Sequence, residues 1–163
     1  MNKKWQIYQT NEEKVKKIAD KYQINQLLTS IIVNRKIEEE KIDVFLHPTR
    51  QNFHDPFLMP DMKIAVERIL KAIENKEKTI IFGDYDVDGI TSSTVLKSFL
   101  KDRGLEVGNY IPNRLKEGYG LNKEAVEKIA NENYTLMITV DCGITGNEEI
   151  EYAKTFGIET IVT

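Results

Sequence analysis

Residues 79–93 read TIIFGDYDVDGITSS, which is a short apolar run followed by acids at alternate positions. The acids are Asp84, Asp86 and Asp88, and Gly89 and several small hydroxyl residues follow them. Carboxylates so close together repel one another unless a cation lies among them. Carboxylate oxygens are also the ligands that hard divalent ions prefer. The stretch therefore predicts a divalent-metal site at the end of a buried strand.

The same spacing matches the opening D-x-D-x-D-G of a calcium-binding EF-hand loop, which needs a glutamate at its twelfth position. That position is Val95 here, and the residues before Asp84 have the pattern of a strand rather than the end of a helix. A phosphate-binding P-loop is excluded too, because its Lys-Ser/Thr pair is absent and the acids would repel phosphate.

A strand-helix alternation runs from residue 76 to residue 163. It predicts an α/β fold with a parallel β-sheet and flanking helices. The predicted strands are Thr79–Phe82, Glu106–Ile111, Leu136–Val140 and Glu159–Val162, and the predicted helices are Ile90–Arg103, Asn122–Glu132 and Asn147–Phe156. Gly104 and Gly157 stand where helices of this kind end.

In the preceding residues the apolar positions recur at helical spacing instead. We therefore expect a helical N-terminal segment over residues 1–75 and an α/β domain over residues 76–163. Thr10 and Glu13 have the spacing of a capping box for the first helix, and Asp61 is expected to cap the helix before the first strand.

A second acid, Asp141, follows the strand in LMITVDCGIT, residues 136–145. The carboxyl ends of parallel strands lie at one edge of a sheet, and ligands bind there. We therefore expect Asp84, Asp86 and Asp141 to face a common crevice. Taken alone, Asp141 could equally be a helix N-cap, and that alternative stays open.

Composition is that of an ordinary globular protein, with 40% hydrophobic and 30% charged residues among 163. No apolar run is long enough to span a membrane and the start does not resemble a signal peptide, so we expect a cytoplasmic protein without a membrane partner. One cysteine, Cys142, excludes an internal disulfide. The net charge of −3 gives no support to strong nucleic-acid binding by the surface as a whole.

Three stretches, GDYDVDGITS, YIPNRLKEGYGLN and ITVDCGIT, resemble in order and spacing the first motifs of the DHH phosphoesterase superfamily. Their form is similar to that of the RecJ single-strand-specific exonucleases. The upstream stretch HDPFLMPDMKIAVERI, residues 54–69, resembles the segment before the first RecJ motif. The resemblance covers most of the chain beyond about residue 40.

This resemblance implies a metal-dependent exonuclease that hydrolyses phosphodiester bonds of single-stranded DNA from the five-prime end, in DNA repair and recombination. It implies two Mn²⁺ or Mg²⁺ ions as cofactors. Single-stranded DNA and other repair and recombination proteins are the implied partners. Asp84, Asp86 and Asp141 match the catalytic metal ligands of the family, and Asp88 and Gly89 match supporting positions around them.

Three further residues are assigned to substrate binding by the same resemblance. Arg114 is the candidate for contact with the scissile phosphate, because a guanidinium fork matches phosphate oxygens. Thr91 is expected to start a helix near a phosphate oxygen, and Tyr119 is expected to stack on a base, as Tyr110 could too. A surface arginine and packing aromatics remain the alternatives for these side chains.

The chain departs from the family pattern in two places. Many members carry a histidine shortly before the acidic pair, whereas residues 80–83 of this chain are Ile-Ile-Phe-Gly. The Asp-His-His motif would follow Thr163, at the tip of a strand expected to be buried and central, so we expect the front part of a longer protein. By itself this part is expected to be inactive, because three carboxylates supply fewer ligands than two octahedral ions need.

Other functions remain open at this point. A DHH-family phosphodiesterase acting on small oligonucleotides or cyclic dinucleotides shares the same motifs. A haloacid dehalogenase-like phosphatase would use Asp84 or Asp86 as a covalent nucleophile, although the further lysine and acidic pair that it needs are not evident. A truncated module without catalytic activity is the third alternative.

Overall fold

The computed structural model describes residues 4–7 and 9–163. They form two compact units, Met1–Leu58 and Met59–Thr163. Across the described part of the chain, no helix combines the length and the apolar character that crossing a membrane requires.

The first unit is helical. Its α-helices are α1 (Glu12–Tyr22), α2 (Gln26–Asn34) and α3 (Ile42–Leu46), and its 3-10 turns are Glu39–Lys41, Arg50–Asn52 and Pro56–Leu58. Ile18, Ile32 and Ile42, one from each α-helix, form its small buried core.

The capping box predicted at Thr10 and Glu13 is wrong. Asn11 caps α1 instead, because its side chain accepts a hydrogen bond from the backbone N–H of Lys14 at 2.9 Å. The Thr10 hydroxyl is bonded to the side chain of Asn34 at 3.1 Å and is not available to the helix.

The second unit is a four-stranded parallel sheet with helices on both faces, which confirms the predicted fold class. Its elements are α4 (Met62–Glu74), β1 (Thr79–Gly83), α5 (Val87–Asp102), β2 (Val107–Tyr110), α6 (Lys123–Asn131), β3 (Leu136–Val140), α7 (Asn147–Thr155) and β4 (Glu159–Val162). The strand order is β2-β1-β3-β4. Because the side chains of a strand alternate between its faces, the apolar strands fill two cores. One core includes residues of α6 and α7, and the other includes residues of α4 and α5.

β4 differs from the expectation of a buried central strand. It pairs only with β3 among the described strands and lies at the edge of the sheet. Its side chains are half-buried or exposed, whereas every residue of β1 and β3 is buried.

Helix α4 packs against the sheet, although the sequence pattern changes from helical to alternating strand and helix only after α4. Ala72 of α4 is fully buried in the core that it shares with α5. Arg68 of the same helix bonds Glu77 at 2.7 Å, just before β1, and also contacts Glu159 at the start of β4. The boundary between residues 75 and 76 remains a prediction for the domain organisation.

The predicted cap of α4 is also wrong in its chemistry. Asp61 occupies the N-cap position, but its φ of 58° is left-handed and its side chain makes no capping hydrogen bond. The sequence pattern predicts where α4 starts, but it does not predict the left-handed backbone conformation of Asp61.

Candidate metal centre

The register of the sheet positions the acidic residues. Gly83, the last residue of β1, pairs with Val140, the last residue of β3. Asp84 and Asp141 are therefore the first residues beyond two neighbouring parallel strands. The carboxylates of Asp84, Asp86 and Asp141 each offer an oxygen, and these oxygens lie within 4.8 Å of one another.

Asp84 is the buried member of this cluster, with an exposed fraction of 3%. Its Oδ1 is inaccessible to solvent and has no hydrogen-bond partner. A buried carboxylate without a partner is costly unless a cation or a hydrogen-bond donor compensates it. In the described structure no lysine, arginine or histidine lies within 4.0 Å of any of the three carboxylates.

Asp86 belongs to the carboxylate cluster and is also the N-cap of α5. Its Oδ1 accepts hydrogen bonds from the backbone N–H groups of Asp88 at 3.0 Å and Gly89 at 3.1 Å. These bonds fix the orientation of the carboxylate, so its other oxygen remains available to a ligand.

Asp141 lies on the second loop in the left-handed conformation, with a φ of 58°. Partial loss of hydration raises the pKa of its carboxyl group, and the negative charges of Asp86 and Asp88 raise that pKa further. The contributions of Asp86 and Asp88 to this shift reflect the negative charge gathered around Asp141. A divalent cation that prefers oxygen ligands would remove this repulsion, so the three carboxylates fit such an ion.

Gly89 allows the helix to approach the first loop closely. A Cβ atom at this position would lie 2.3–2.6 Å from the backbone N, C and O atoms of Asp84. Asp88 is exposed in the first turn of α5, and its charge acts on Asp141. Both residues thus border the carboxylate cluster, where the sequence prediction put them in supporting roles.

The expected position of Thr91 at a helix start is wrong. Because Asp86 caps the helix, α5 begins at Val87, and Thr91 lies in the second turn. The Thr91 hydroxyl donates to the backbone carbonyl groups of Val87 at 2.7 Å and Asp88 at 3.2 Å. It is thus engaged within the helix.

The segment between β2 and α6, residues 111–122, carries the other predicted substrate residues and is called the β2–α6 loop below. Arg114 lies over the ring of Tyr85, with its guanidinium carbon 5.1 Å from the ring centre. Tyr119 meets the same ring edge to face, with 6.2 Å between ring centres. Partial loss of hydration raises the pKa of Tyr119, and the charges of Asp84 and Asp141 raise it further, so Tyr119 lies within electrostatic reach of the acidic cluster.

Tyr85 was not singled out in the sequence, although it contacts both Arg114 and Tyr119. The available signal was its place between two candidate metal ligands in the stretch DYD. The backbone of a residue between two metal ligands must lie next to the metal site, whatever the orientation of its side chain.

Glu117 anchors the β2–α6 loop. Its carboxylate accepts hydrogen bonds from the backbone N–H of Asn113 at 2.7 Å, from Lys128 at 2.9 Å and from the hydroxyl of Tyr110. The bond from Asn113 contributes most, and together the three donors lower the pKa of Glu117 to about 2. The loop is therefore held to α6 and β2 by a nearly buried charge.

Tyr110 and Cys142 both pack inside the protein. Tyr110 stacks on Phe82 with 5.3 Å between the ring centres, so its ring packs in the protein. Cys142 is buried in the core, and burial together with nearby carboxylates raises the pKa of its thiol to about 11.

Comparison with known proteins identifies relatives of this chain. The model of the DHH family, N-terminal domain, matches residues 78–163. The single-stranded-DNA-specific exonuclease RecJ of Bacillus subtilis (strain 168) is 40% identical over 161 residues, which are 98% of this chain and 20% of that protein. This chain thus spans about a fifth of the length of the curated relatives it matches.

Solved structures of RecJ proteins are similar as well. A crystal structure of exonuclease RecJ bound to manganese is 37% identical, with a TM-score of 0.60, and the match covers 65% of this chain and 28% of that one. RecJ from Thermus thermophilus was solved with Mn²⁺ (TM-score 0.62, 23% identity, 92% of this chain and 20% of that one) and with Mg²⁺ (TM-score 0.52, 19% identity, 93% of this chain and 18% of that one). At these lower identities the likeness to the Thermus protein supports the fold alone.

We expect Gly89→Ala to destabilise the protein, because the added methyl group would overlap the backbone of Asp84. Overpacking of this kind costs about 1–3 kcal/mol. Urea unfolding measures the loss of free energy of unfolding. Thr94→Ala on the exposed side of the same helix is the matched control and should change it by less than about 0.5 kcal/mol. Equal stability of the two variants would contradict the close approach of α5 to Asp84.

We expect Glu117→Gln to reduce stability in a pH-dependent way. The folded-state pKa of Glu117 is lowered from 4.5 to about 2, so the stabilisation is fully present above pH 4.5 and is lost as the pH falls toward about 2. Hydrogen bonds to a charged group are worth about 1.5–3 kcal/mol. Urea unfolding at a series of pH values should show the gap between wild type and variant closing over this range. A gap that stays constant would mean that the charge of Glu117 does not hold the loop.

Proposed function

The chain belongs to the DHH family, and on this premise we propose that it is the metal-binding N-terminal part of a RecJ-like exonuclease. The activity proposed for the whole protein is hydrolysis of phosphodiester bonds in single-stranded DNA from the five-prime end. The observation that carries the proposal is the convergence of three carboxylates from two loops within 4.8 Å, with no lysine, arginine or histidine of the described structure within 4.0 Å of them.

The proposed metal ligands are Asp84, Asp86 and Asp141, with Mn²⁺ or Mg²⁺ as the ion. When two such ions are bound, they supply activation of water and stabilisation of charge on the phosphodiester. The chain's own contribution is orientation. Asp84 offers an unpartnered buried oxygen, and Asp86 is held in place by the first turn of α5.

Substrate contacts are proposed for two side chains of the β2–α6 loop that contact Tyr85. The N–H groups of Arg114 would donate to phosphate oxygens, since a guanidinium group matches their geometry. Tyr119 is 67% exposed and offers its ring to an unstacked base, as aromatic platforms do in proteins that bind single strands. A base in a duplex is stacked on its neighbours and would not be available to this ring.

Three carboxylates are fewer ligands than two octahedral ions require. We therefore propose that this chain alone binds metal weakly and has no nuclease activity. The match to about a fifth of the curated relatives supports the assignment of the remaining ligands to other parts of a RecJ-like protein.

The proposed setting is the cytoplasm, where a bacterial repair nuclease meets its DNA. Single-stranded DNA is the proposed substrate, and other repair and recombination proteins are the proposed partners. The support for both is the identity to RecJ of Bacillus subtilis, whose name states that it is specific for single-stranded DNA.

We expect this chain to bind Mn²⁺ weakly, and we expect Asp86→Asn to reduce the binding further because a charged ligand is lost. Isothermal titration calorimetry measures the affinity. Asp102→Asn removes an exposed carboxylate at the far end of the same helix and is the matched control, which should bind like the wild type. Equal binding by all three proteins would argue against the carboxylate cluster as the site.

We expect the full-length protein to degrade five-prime-labelled single-stranded DNA in the presence of Mn²⁺ and to leave blunt duplex intact. Asp86→Ala should abolish the activity, because it removes both a ligand and the cap of α5. Product sizes on a denaturing gel would show mononucleotides released from one end. Cleavage of dinucleotides or cyclic dinucleotides in place of long strands would favour the small-nucleotide phosphodiesterase instead.

A further inference from the structure

Tyr85 joins the loop that carries the acids to the loop that carries the predicted substrate residues. It stands between Asp84 and Asp86 in the chain, and its ring is half-buried. The Arg114 guanidinium group lies over that ring, and the Tyr119 ring meets it edge to face. No other described aromatic residue contacts both of these side chains.

Arg114 contacts the ring of Tyr85, the residue between Asp84 and Asp86, and yet is not paired with a carboxylate. Among the described residues it forms no ion pair within 4.0 Å, and the acidic cluster likewise has no cationic partner. Coulomb attraction favours pairing of a flexible arginine with any carboxylate that it can reach. The contact that the structure gives Arg114 is instead the cation–π contact with the ring of Tyr85.

We infer that Tyr85 is a positioning residue that holds the Arg114 guanidinium group ready for a phosphate group of the substrate. The inference rests on the proposed function, because it assigns Arg114 to the phosphodiester. Tyr85 itself makes no bond to the substrate in this scheme. It acts by fixing the place of the guanidinium group.

The geometry suits this task. The guanidinium group is held over the ring by a cation–π contact, and its N–H donors, which form no ion pair among the described residues, stay free for phosphate oxygens. Because the ring is attached between two candidate metal ligands, the phosphate contact is tied to the metal loop through one short stretch of backbone. The β2–α6 loop alone would not supply that link.

The ring and not the hydroxyl of Tyr85 carries the effect, because the contact with Arg114 is made to the ring face. Tyr85→Phe should therefore behave like the wild type, whereas Tyr85→Leu should not. Tyr152→Leu is a matched control, since Tyr152 is also half-buried, also meets an aromatic ring edge to face and also lies near a lysine.

The test is steady-state cleavage of single-stranded DNA by the full-length protein with Mn²⁺. Tyr85→Leu is expected to raise KM about 2- to 30-fold, the range that corresponds to a cation–π contact of about 0.5–2 kcal/mol, with kcat changed less than about twofold. In an Arg114→Ala background the same substitution should have no further effect on KM, because the group that it positions is already gone.

The outcomes separate the two proposals. A wild-type protein that does not cleave single strands would overturn the proposed function and the inference with it. An active wild type in which Tyr85→Leu changes nothing, or raises KM equally with and without Arg114, would overturn the inference alone. A Tyr85→Phe variant as impaired as Tyr85→Leu would also overturn it, since the ring would then not suffice.

Discussion

Repulsion among three carboxylates at one edge of a parallel sheet is the constraint on which the site depends. Asp84 and Asp141 follow strands that end in the same register, so neither can move away without breaking the pairing of β1 and β3. Both strands are buried along their whole length, and their apolar side chains stabilise the arrangement from both faces. The sheet therefore holds together charges that would separate in a flexible loop.

Short loops make this convergence possible, and small residues make the short loops possible. Asp141 adopts a left-handed backbone, and Gly143 follows it with a φ of 99°. A Cβ atom on Gly143 would lie 2.6 Å from the hydroxyl oxygen of Thr139, which donates to the backbone carbonyl of Cys142 at 3.0 Å. Thr139 at the end of β3 thus holds the loop that carries Asp141. The close approach of Gly89 in α5 holds the loop after β1 in the same way.

The sequence contained enough information for the sheet and the acidic cluster because both follow from regular patterns. Alternation of apolar strands and helices determines a parallel sheet, and acids at strand ends then meet at one edge. The errors lie where a local signal had several readings. Thr10 has the side chain of a helix cap but bonds Asn34. Thr91 is expected at the start of α5, whereas Asp86 caps that helix and Thr91 lies in its second turn. The role of Tyr85 depends on contacts with residues far along the chain, and no local pattern predicts those.

Metal binding would also resolve the conflict between an acidic protein and the polyanionic substrate proposed for it. Without ions, the three carboxylates repel phosphate, and the net charge of −3 offers no general attraction. Two divalent cations at this cluster would carry more charge than the three carboxylates and would make the edge locally positive. Since exposed charges are screened over about 10 Å at moderate ionic strength, the phosphate next to the ions responds to this local charge more than to the net charge of the protein. Arg114, held over the ring of the residue between Asp84 and Asp86, adds a positive group to this part of the protein.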